Sequence, residues 1–528
     1  MKYNAFKRWA VAGGLLMAAT ACERDLLDQV NPNLATTESF WTNSNDAIKG
    51  INATYSGLQK LGTYRRWLNF AFDIRDDVGF SQSPWNELRD WTRFAVGNYD
   101  FEVNFNVYAD HYRAIFRCNQ VIDNVPKITG MDAALQKRVV AEARFIRALC
   151  YYNLVTLYGN VPLRTTASTD LSILPPQATE AQAWELIISD LTTAQADLPA
   201  SYTGNDIGRA TSGAATTLLG KAHMQNRRWA EASAEFGKII LSGSYNLAGS
   251  YTDNFRHTSE NNIESIFEVQ FSDVNTGDDG DNVNALESGQ RSQFFGPPVL
   301  PGEPGLGFTD GEVRPWVVNE FLTEENNDGE RDLRLAATVF YNRADQTQFP
   351  STIPADNSPV PLVYGQTYPV RFGSNSNNLR RVYWRKYQTD YYRQFEDFNS
   401  PINQRVMRFA DVLLLQAEAL NEQGQTGAAI PLINRVRRRA NMPNLQASNF
   451  NQASLRTQIM HERVTELTGE GTRWFDLKRW GLLDNQAGVD MLKTHDDDFN
   501  NFVVGRSSLL PLPQTEVDLA RLQQNPNW

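Results

Sequence analysis

The sequence predicts a mainly α protein: a tetratricopeptide-like helical hairpin scaffold, interrupted by a long loop-rich insertion containing short β pieces. Three observations carry this expectation. Apolar residues recur at three- and four-residue spacing over about 34–242 and again over 401–528, the period of helices with one buried face. Between them, residues 243–400 lose that period and are rich in Gly, Pro, Asn and Asp, as in Gly296-Pro-Pro298. Finally, Leu219-Gly220 is followed by Ala232 and Phe236 at tetratricopeptide offsets, where small residues let the two helices of a hairpin approach each other.

Taken in order, the first helix is expected from Asn45, presenting Ile48, Ile51, Tyr55 and Leu58. A second runs near 106–124 with Tyr108, Tyr112, Ile115 and Ile122 on one face, stopping before Pro126. A third starts at Asp132, carries Leu135, Val139, Ile146 and Leu149, and ends at Gly159. Thr179-Glu-Ala-Gln182 is a capping box, in which the Thr and Gln side chains satisfy each other's backbone amides. It opens a helix through Trp184, Ile187, Leu191 and Leu198. The hairpin spacing of 219–236 can be laid again on Ala417, Leu420, Ala429 and Ile433, too far along the chain for a tidy tandem array. Within the insertion, 266–271 and 335–341 read as β pieces.

The first residues read as an address. Lys2, Lys7 and Arg8 precede an apolar run, Trp9 to Ala21, that is too short to span a bilayer. Cys22 follows small residues, so residues 1–21 are expected to be a lipoprotein signal peptide and Cys22 the lipidated residue, leaving 22–528 as a single domain. Loss of residues 1–21 makes a chain of formal charge −11 and pI near 5.2 more acidic still. Nucleic-acid binding is not expected, because such a protein must neutralise phosphates with a basic surface. Cys118 and Cys150 sit in helical apolar patterns and are expected as buried thiols.

Catalytic motifs fail when counted. His461-Glu462 begins a zinc-protease pattern, but Thr465 stands where the second histidine belongs. Gly302, Gly305 and Gly307 have no preceding strand to make a nucleotide loop. Glu324-Glu-Asn-Asn-Asp-Gly329 imitates half an EF-hand loop, yet its twelfth position is Leu335 rather than the bidentate Glu. A structural calcium ion is an open alternative; no other metal and no cofactor are expected. The acidic runs 278–281 and 496–498 read as solvated loops. Glu462, Glu466 and Glu470 share one helical face if the helix lasts that far. With Arg463, Arg473, Asp476 and Arg479 nearby, they read as an ion-pair latch rather than a catalytic pair, which would sit across a cleft.

Several motifs then occur in a telling order. Arg408-Phe-Ala-Asp-Val-Leu-Leu-Leu415 leads to Ile433-Asn-Arg-Val-Arg-Arg-Arg439 and His461-Glu-Arg463. Glu470-Gly-Thr-Arg-Trp-Phe-Asp-Leu-Lys-Arg-Trp480, Leu510-Pro-Leu-Pro513 and Gln524-Asn-Pro526 follow. At the front stand Cys22-Glu-Arg-Asp-Leu-Leu-Asp28, Pro32, Glu38-Ser-Phe-Trp41 and Tyr55. This pattern resembles the SusD/RagB family of surface lipoproteins from Bacteroidetes. The central insertion matches loosely, at Arg314-Pro315 and Asp332-Leu-Arg334, and Asn527-Trp528 departs from the Gly-Tyr common at the tail. The resemblance implies no catalytic activity, a lipid-anchored place on the outer membrane, and a SusC-like TonB-dependent transporter as partner. It also implies that such a protein acts as the transporter's lid and delivers oligosaccharides or peptides to it. Acidic Glu23, Asp25 and Asp28 after the cysteine fit export to the outer leaflet.

The ligand-binding residues are read from residue types. Sugars are held by aromatic faces against C–H surfaces, with carboxylates and Arg bonding hydroxyls. The stretch 73–91 is dense in both kinds and breaks helical spacing, so Asp76, Trp85, Arg89 and Trp91 are candidates, joined by Phe294 and Phe295 of the insertion. The alternative is that these aromatics pack the loops down; Trp316 and Trp384 read as structural. Two other classes stay open: a secreted glycan-degrading enzyme on a helical frame, and a protein-binding scaffold with no small ligand.

Overall fold

The computed structural model describes residues 40–168, 174–273, 287–299, 305, 307–350, 358–373 and 377–528. Cys22, the acidic run 278–281 and Gly302 lie outside the described residues.

Helix α1 (Ser44–Tyr55) starts at Asn43, whose side chain accepts the Asn45 and Asp46 amides. Its stripe buries Ile51, while Leu58 falls in the 3₁₀ turn that follows. Two short helices, α2 (Trp67–Asp73) and α3 (Asn86–Thr92), precede α4 (Glu102–Asn124), which begins one turn before the expected 106. Helix α5 (Ala133–Tyr158) is capped by Asp132, which accepts the Leu135 amide at 2.8 Å, and stops at Gly159 with φ +64°. The expected capping box of Thr179 and Gln182 opens α6 (Glu180–Asp197). The first hairpin is α7 (Ser212–Gln225) with α8 (Trp229–Ser242).

The segment 243–400 adds short helices α9 (Arg291–Phe295), α10 (Pro315–Phe321), α11 (Leu333–Thr338) and α12 (Tyr368–Phe372). The second half of the frame is α13 (Phe409–Glu422), α14 (Thr426–Arg439), α15 (Gln452–Leu467), α16 (Arg473–Arg479), α17 (Gln486–Lys493) and α18 (Gln514–Ala520). Strands β1 (Gly79–Phe80), β2 (Ser265–Val269), β3 (Glu312–Val313), β4 (Val339–Phe340), β5 (Tyr383–Trp384) and β6 (Gln404–Arg408) make three antiparallel pairs: β1 with β3, β2 with β6, and β4 with β5.

The helices from α4 to α8 pack each on its successor. Helix α8 then packs on α13, and α13 on α14 and α15, so the two sequence-distant hairpins are neighbours in space. Residues 145–158 of α5 are all buried, which a helix at the centre of a layered bundle requires. Cys118 and Cys150 are buried in this layer, and burial raises both thiols above their ordinary range.

Gly220 shows why the hairpin spacing matters. A Cβ at this position would lie 2.5 Å from the Phe236 ring, and Phe236 is fully buried. Gly220→Val is therefore expected to destabilise the protein by roughly 1–3 kcal/mol through overpacking. A urea-denaturation midpoint equal to wild type would contradict this account of the hairpin.

Residues 335–338, expected as strand, are helical, and only Val339-Phe340 is extended. Asp332 caps the turn by accepting the Arg334 amide at 2.9 Å, and Leu, Arg and Ala are good helix formers once capped. The insertion is also stitched into the frame, because β2 pairs with β6 from beyond it.

The latch exists, with different partners from those nearest in sequence. Helix α15 ends at Leu467, and Glu470 follows Gly469 (φ +78°), off the helical face. Arg408 gathers the carboxylates: it bonds Glu470 at 2.6 Å, Glu264 at 2.7 Å and Glu466 at 2.5 Å. Arg334 of the insertion reaches Glu466 at 3.0 Å, and Lys386 reaches Glu470 at 2.8 Å. Arg437 pairs with Glu462. Arg463 and Arg479 instead hold Asp476, at 2.7 and 2.8 Å, and Arg473 holds Asp77 at 2.7 Å. Of the acidic loops, Asp496 is not solvated: it is buried and ion-paired with Arg314. In the loop after Glu324, Asn326 Oδ1 accepts the Asp328 and Glu330 amides, both at 2.9 Å, so that oxygen closes the turn.

Candidate functional site

The candidate site forms where α2, the loop before α3 and the insertion meet. The chain enters α2 through a tight turn over Leu61–Arg65, in which Gly62 lies so close to α4 that a Cβ would collide with the Asn106 carbonyl. Helix α9 docks beside it: the Gln290 amide donates to the Arg65 carbonyl at 3.1 Å, and Arg66 Nε donates to Gln290 Oε1 at 2.6 Å. The segment 308–310 then lines α9, with the Phe308 amide on the Gln293 carbonyl at 2.9 Å and the Asp310 amide on the Phe294 carbonyl at 2.8 Å.

These contacts assemble aromatic rings around one guanidinium. Phe294 packs edge-on against Trp67 at 5.6 Å and Phe308 at 5.1 Å, and lies 6.1 Å from Phe398. Trp85 packs on Trp67 at 6.0 Å and on Phe101 at 5.0 Å. The Arg66 guanidinium sits over Phe294 at 4.3 Å and Trp67 at 4.7 Å, close enough for cation–π attraction. Trp67 and Phe294 form the buried floor, while Phe308 is 36 % exposed and Trp85 and Phe398 are half-buried. Asp310 stands among them; burial pushes its carboxyl up to about 6, against the pull of a Ser83 hydrogen bond and of Arg66. The partly open rings of Trp85, Phe308 and Phe398 present an apolar face, with Ser83, Arg66 and Asp310 buried behind it.

Of the candidates read from sequence, Trp85 and Phe294 come together at this site, through Trp67. The other four are differently placed. Asp76 is 1 % exposed and accepts the Val78 and Gly79 amides at 2.9 and 3.0 Å, holding the turn into β1. Trp91 is buried beneath Arg75, whose guanidinium lies 5.3 Å from its ring. Phe295 is fully buried against Phe70 at 4.9 Å and Trp384 at 6.3 Å. Arg89 bonds Asn86 Oδ1 at 2.6 Å on its own helix. Asp76, Trp91 and Phe295 thus expose no face to solvent. Trp384 is buried, as a structural residue should be, and Trp316 stacks on His495 at 4.0 Å.

Arg66, Trp67, Phe308, Asp310 and Phe398 carry no mark in the sequence. Trp67 sits in an apolar run that reads as core, and Phe308 and Phe398 lie in loops with no period. Only their convergence distinguishes them.

The layered frame of helical hairpins is one that solved structures share. A solved SusD superfamily protein from Bacteroides vulgatus superposes on it with a TM-score of 0.78 at 25 % identity, covering 93 % of this chain and all of that one. Residues 263–528 match the SusD family, and residues 25–224 match a family described as starch-binding, associating with outer membrane. The chain belongs to the SusD family. A SusD-like protein of Formosa agariphila is 26 % identical over 489 residues, 89 % of each chain. The starch-binding protein SusD of Bacteroides thetaiotaomicron is 23 % identical over 448 residues, 78 % of this chain and 73 % of that one. Where these names state an activity, it is binding and not catalysis. No helix among the described residues is long and apolar enough to cross a membrane.

Proposed function

We propose that this protein binds oligosaccharides at the outer membrane, held there by a lipid on Cys22, and delivers them as a lid to a SusC-like TonB-dependent transporter. The observation that carries the binding half is the aromatic platform of Trp85, Phe308 and Phe398 around Arg66 and Asp310. Its rings are held by floor residues, so little side-chain entropy is lost when a flat sugar face settles on them. The starch-binding name of the Bacteroides thetaiotaomicron relative supports a glucan as the first ligand to try. The anchor and the transporter are carried by the family likeness and the signal-like start of the chain.

Calorimetric titration with starch-derived oligosaccharides, with β-glucan oligosaccharides and with a peptide mixture tests the reading. Trp85→Ala and Phe308→Ala are each expected to weaken glycan binding by about 2 kcal/mol, roughly thirtyfold, as truncation of a central aromatic does. Unchanged affinity in both variants would remove the platform from the site. Release of shortened sugars during the titration would instead favour a glycan-degrading enzyme.

A further inference from the structure

A second cluster lies away from the platform, where the end of α10 meets α15. His461 Nδ1 lies 2.8 Å from Glu320 Oε1, an arrangement in which the ring donates to the carboxylate and leaves Nε2 with its lone pair. His461 Nε2 lies 4.0 Å from Glu324 Oε2. One ligand atom each from Glu324, His461 and Glu462 lie within 4.8 Å of one another. Glu462 is fully buried; Arg437 and Gln458 engage its Oε1, and its Oε2 has no hydrogen-bond partner. A buried carboxylate oxygen left unpaired is costly, so it calls for a partner.

We propose that Glu324, His461 and Glu462 bind one divalent transition cation of the zinc class, with Glu320 as the carboxylate that orients His461. The donor set decides the class. An imidazole nitrogen with carboxylate oxygens suits zinc, whereas calcium takes six to eight oxygens. A carboxylate on the far ring nitrogen is the usual support of a metal-binding histidine, fixing its tautomer. Geometry agrees: three carboxylates, Glu320, Glu324 and Glu462, gather around the one imidazole, with Arg437 bonded to two of them. A tetrahedral zinc shell places donors roughly 3.3–3.6 Å apart, so the site must close by about 1 Å. Glu324 is the member able to move: its side chain is 29 % exposed, and its 2.7 Å ion pair with Arg437 leaves Arg437 still bonded to Glu462 when it shifts. Binding would tie the insertion, through α10, to the frame at α15.

The test is calorimetric titration of the full chain, stripped with chelator, with zinc sulfate, together with thermal unfolding. One zinc per chain and a rise in Tm that chelator reverses are expected. His461→Gln and Glu324→Gln should each weaken binding roughly tenfold or more. The neighbouring Glu325→Gln should leave it unchanged, and circular dichroism of each variant confirms that it is folded. Absence of stoichiometric zinc binding, unchanged binding in the His461→Gln and Glu324→Gln double variant, or tighter binding of calcium than of zinc would overturn the assignment. None of these readouts depends on the glycan ligand.

Discussion

Replacing Arg408 with methionine is expected to destabilise the protein by roughly 3–5 kcal/mol. Arg408 ends β6 and stands at the cap position just before α13, with its side chain 1 % exposed. Its Nε donates to Glu470 at 2.6 Å, its Nη1 to Glu264 at 2.7 Å, and its Nη2 to the Glu466 carbonyl at 2.8 Å. Methionine fills part of the volume but leaves Glu264, Glu466 and Glu470 one positive charge short, with only Arg439, Arg334 and Lys386 to hold them, and that is where the cost arises. Arg408→Lys keeps the charge and loses the planar fork, so its stability should fall between wild type and Arg408→Met. Arg456 is the contrast: it pairs with Glu422 at the surface, with its own side chain 45 % exposed, and Arg456→Met should cost no more than about 1 kcal/mol. The measurement is the urea midpoint at unchanged slope. Equal costs at Arg408 and Arg456 would show that the latch carries no special weight.

The second large effect is a steep loss of stability in acid. Burial alone pushes a carboxyl up, but at Glu466 the guanidiniums of Arg439, Arg408 and Arg334 outweigh it and hold the group below the usual range. Lys221 and Arg463 do the same for Asp411, and Arg473 with His495 for Asp77. For a group whose folded pKa is depressed, the stability it contributes is fully present above the unfolded value, near 4, and is lost as pH falls toward the folded value. Glu396 and Asp310 act in the opposite sense. Burial raises them to about 7 and about 6, and likewise Asp496 to about 7 and Glu260 to about 8, so their contribution is full below the unfolded value and is lost as pH rises through the folded ones. The expected profile falls below about pH 4 and declines again from about pH 4 to about pH 8. Asp411→Asn should flatten the acid limb at the cost of lower stability at neutral pH. Urea midpoints measured across the range check this; an acid limb as steep in Asp411→Asn as in wild type would place the depressed group elsewhere.

Much of the frame is legible in the sequence because its signals are local. A capping box needs only Thr179 and Gln182, and a helix stop needs only Gly159 in a left-handed turn. The hairpin at Gly220 is readable because close helix approach demands a small residue at a fixed offset from its partner. The latch is half readable. Glu466 and Glu470 are recognisable as paired carboxylates, but the nearby Arg463 and Arg473 are not their partners. Those partners, Arg408, Arg334 and Lys386, come from other segments. The strand expected at 335–341 is extended only at Val339-Phe340 for a local reason, since the capping Asp332 outweighs the β-like composition over 333–338.

The site is the least legible part. Composition singles out Trp85 and Phe294, which the fold brings together through Trp67, and equally Trp91, Phe295 and Asp76, which are buried. Whether an aromatic ring faces a ligand or the core depends on which distant segment covers it. Phe295 is covered by Phe70 and Trp384, and Phe308 is left partly open.

The sequence by itself therefore determines the helical class, the capped ends of α5 and α6, the hairpin pairs and the family, because periodicity, caps and ordered motifs are properties of neighbouring residues. Only the tertiary structure decides that α8 packs on α13 across the insertion and that Arg408 is the centre of the latch. It alone gathers Arg66, Trp85, Phe308 and Phe398 into one platform. Burial and ion pairing between residues hundreds of positions apart are set by how the layers close, and no local pattern in the chain records that.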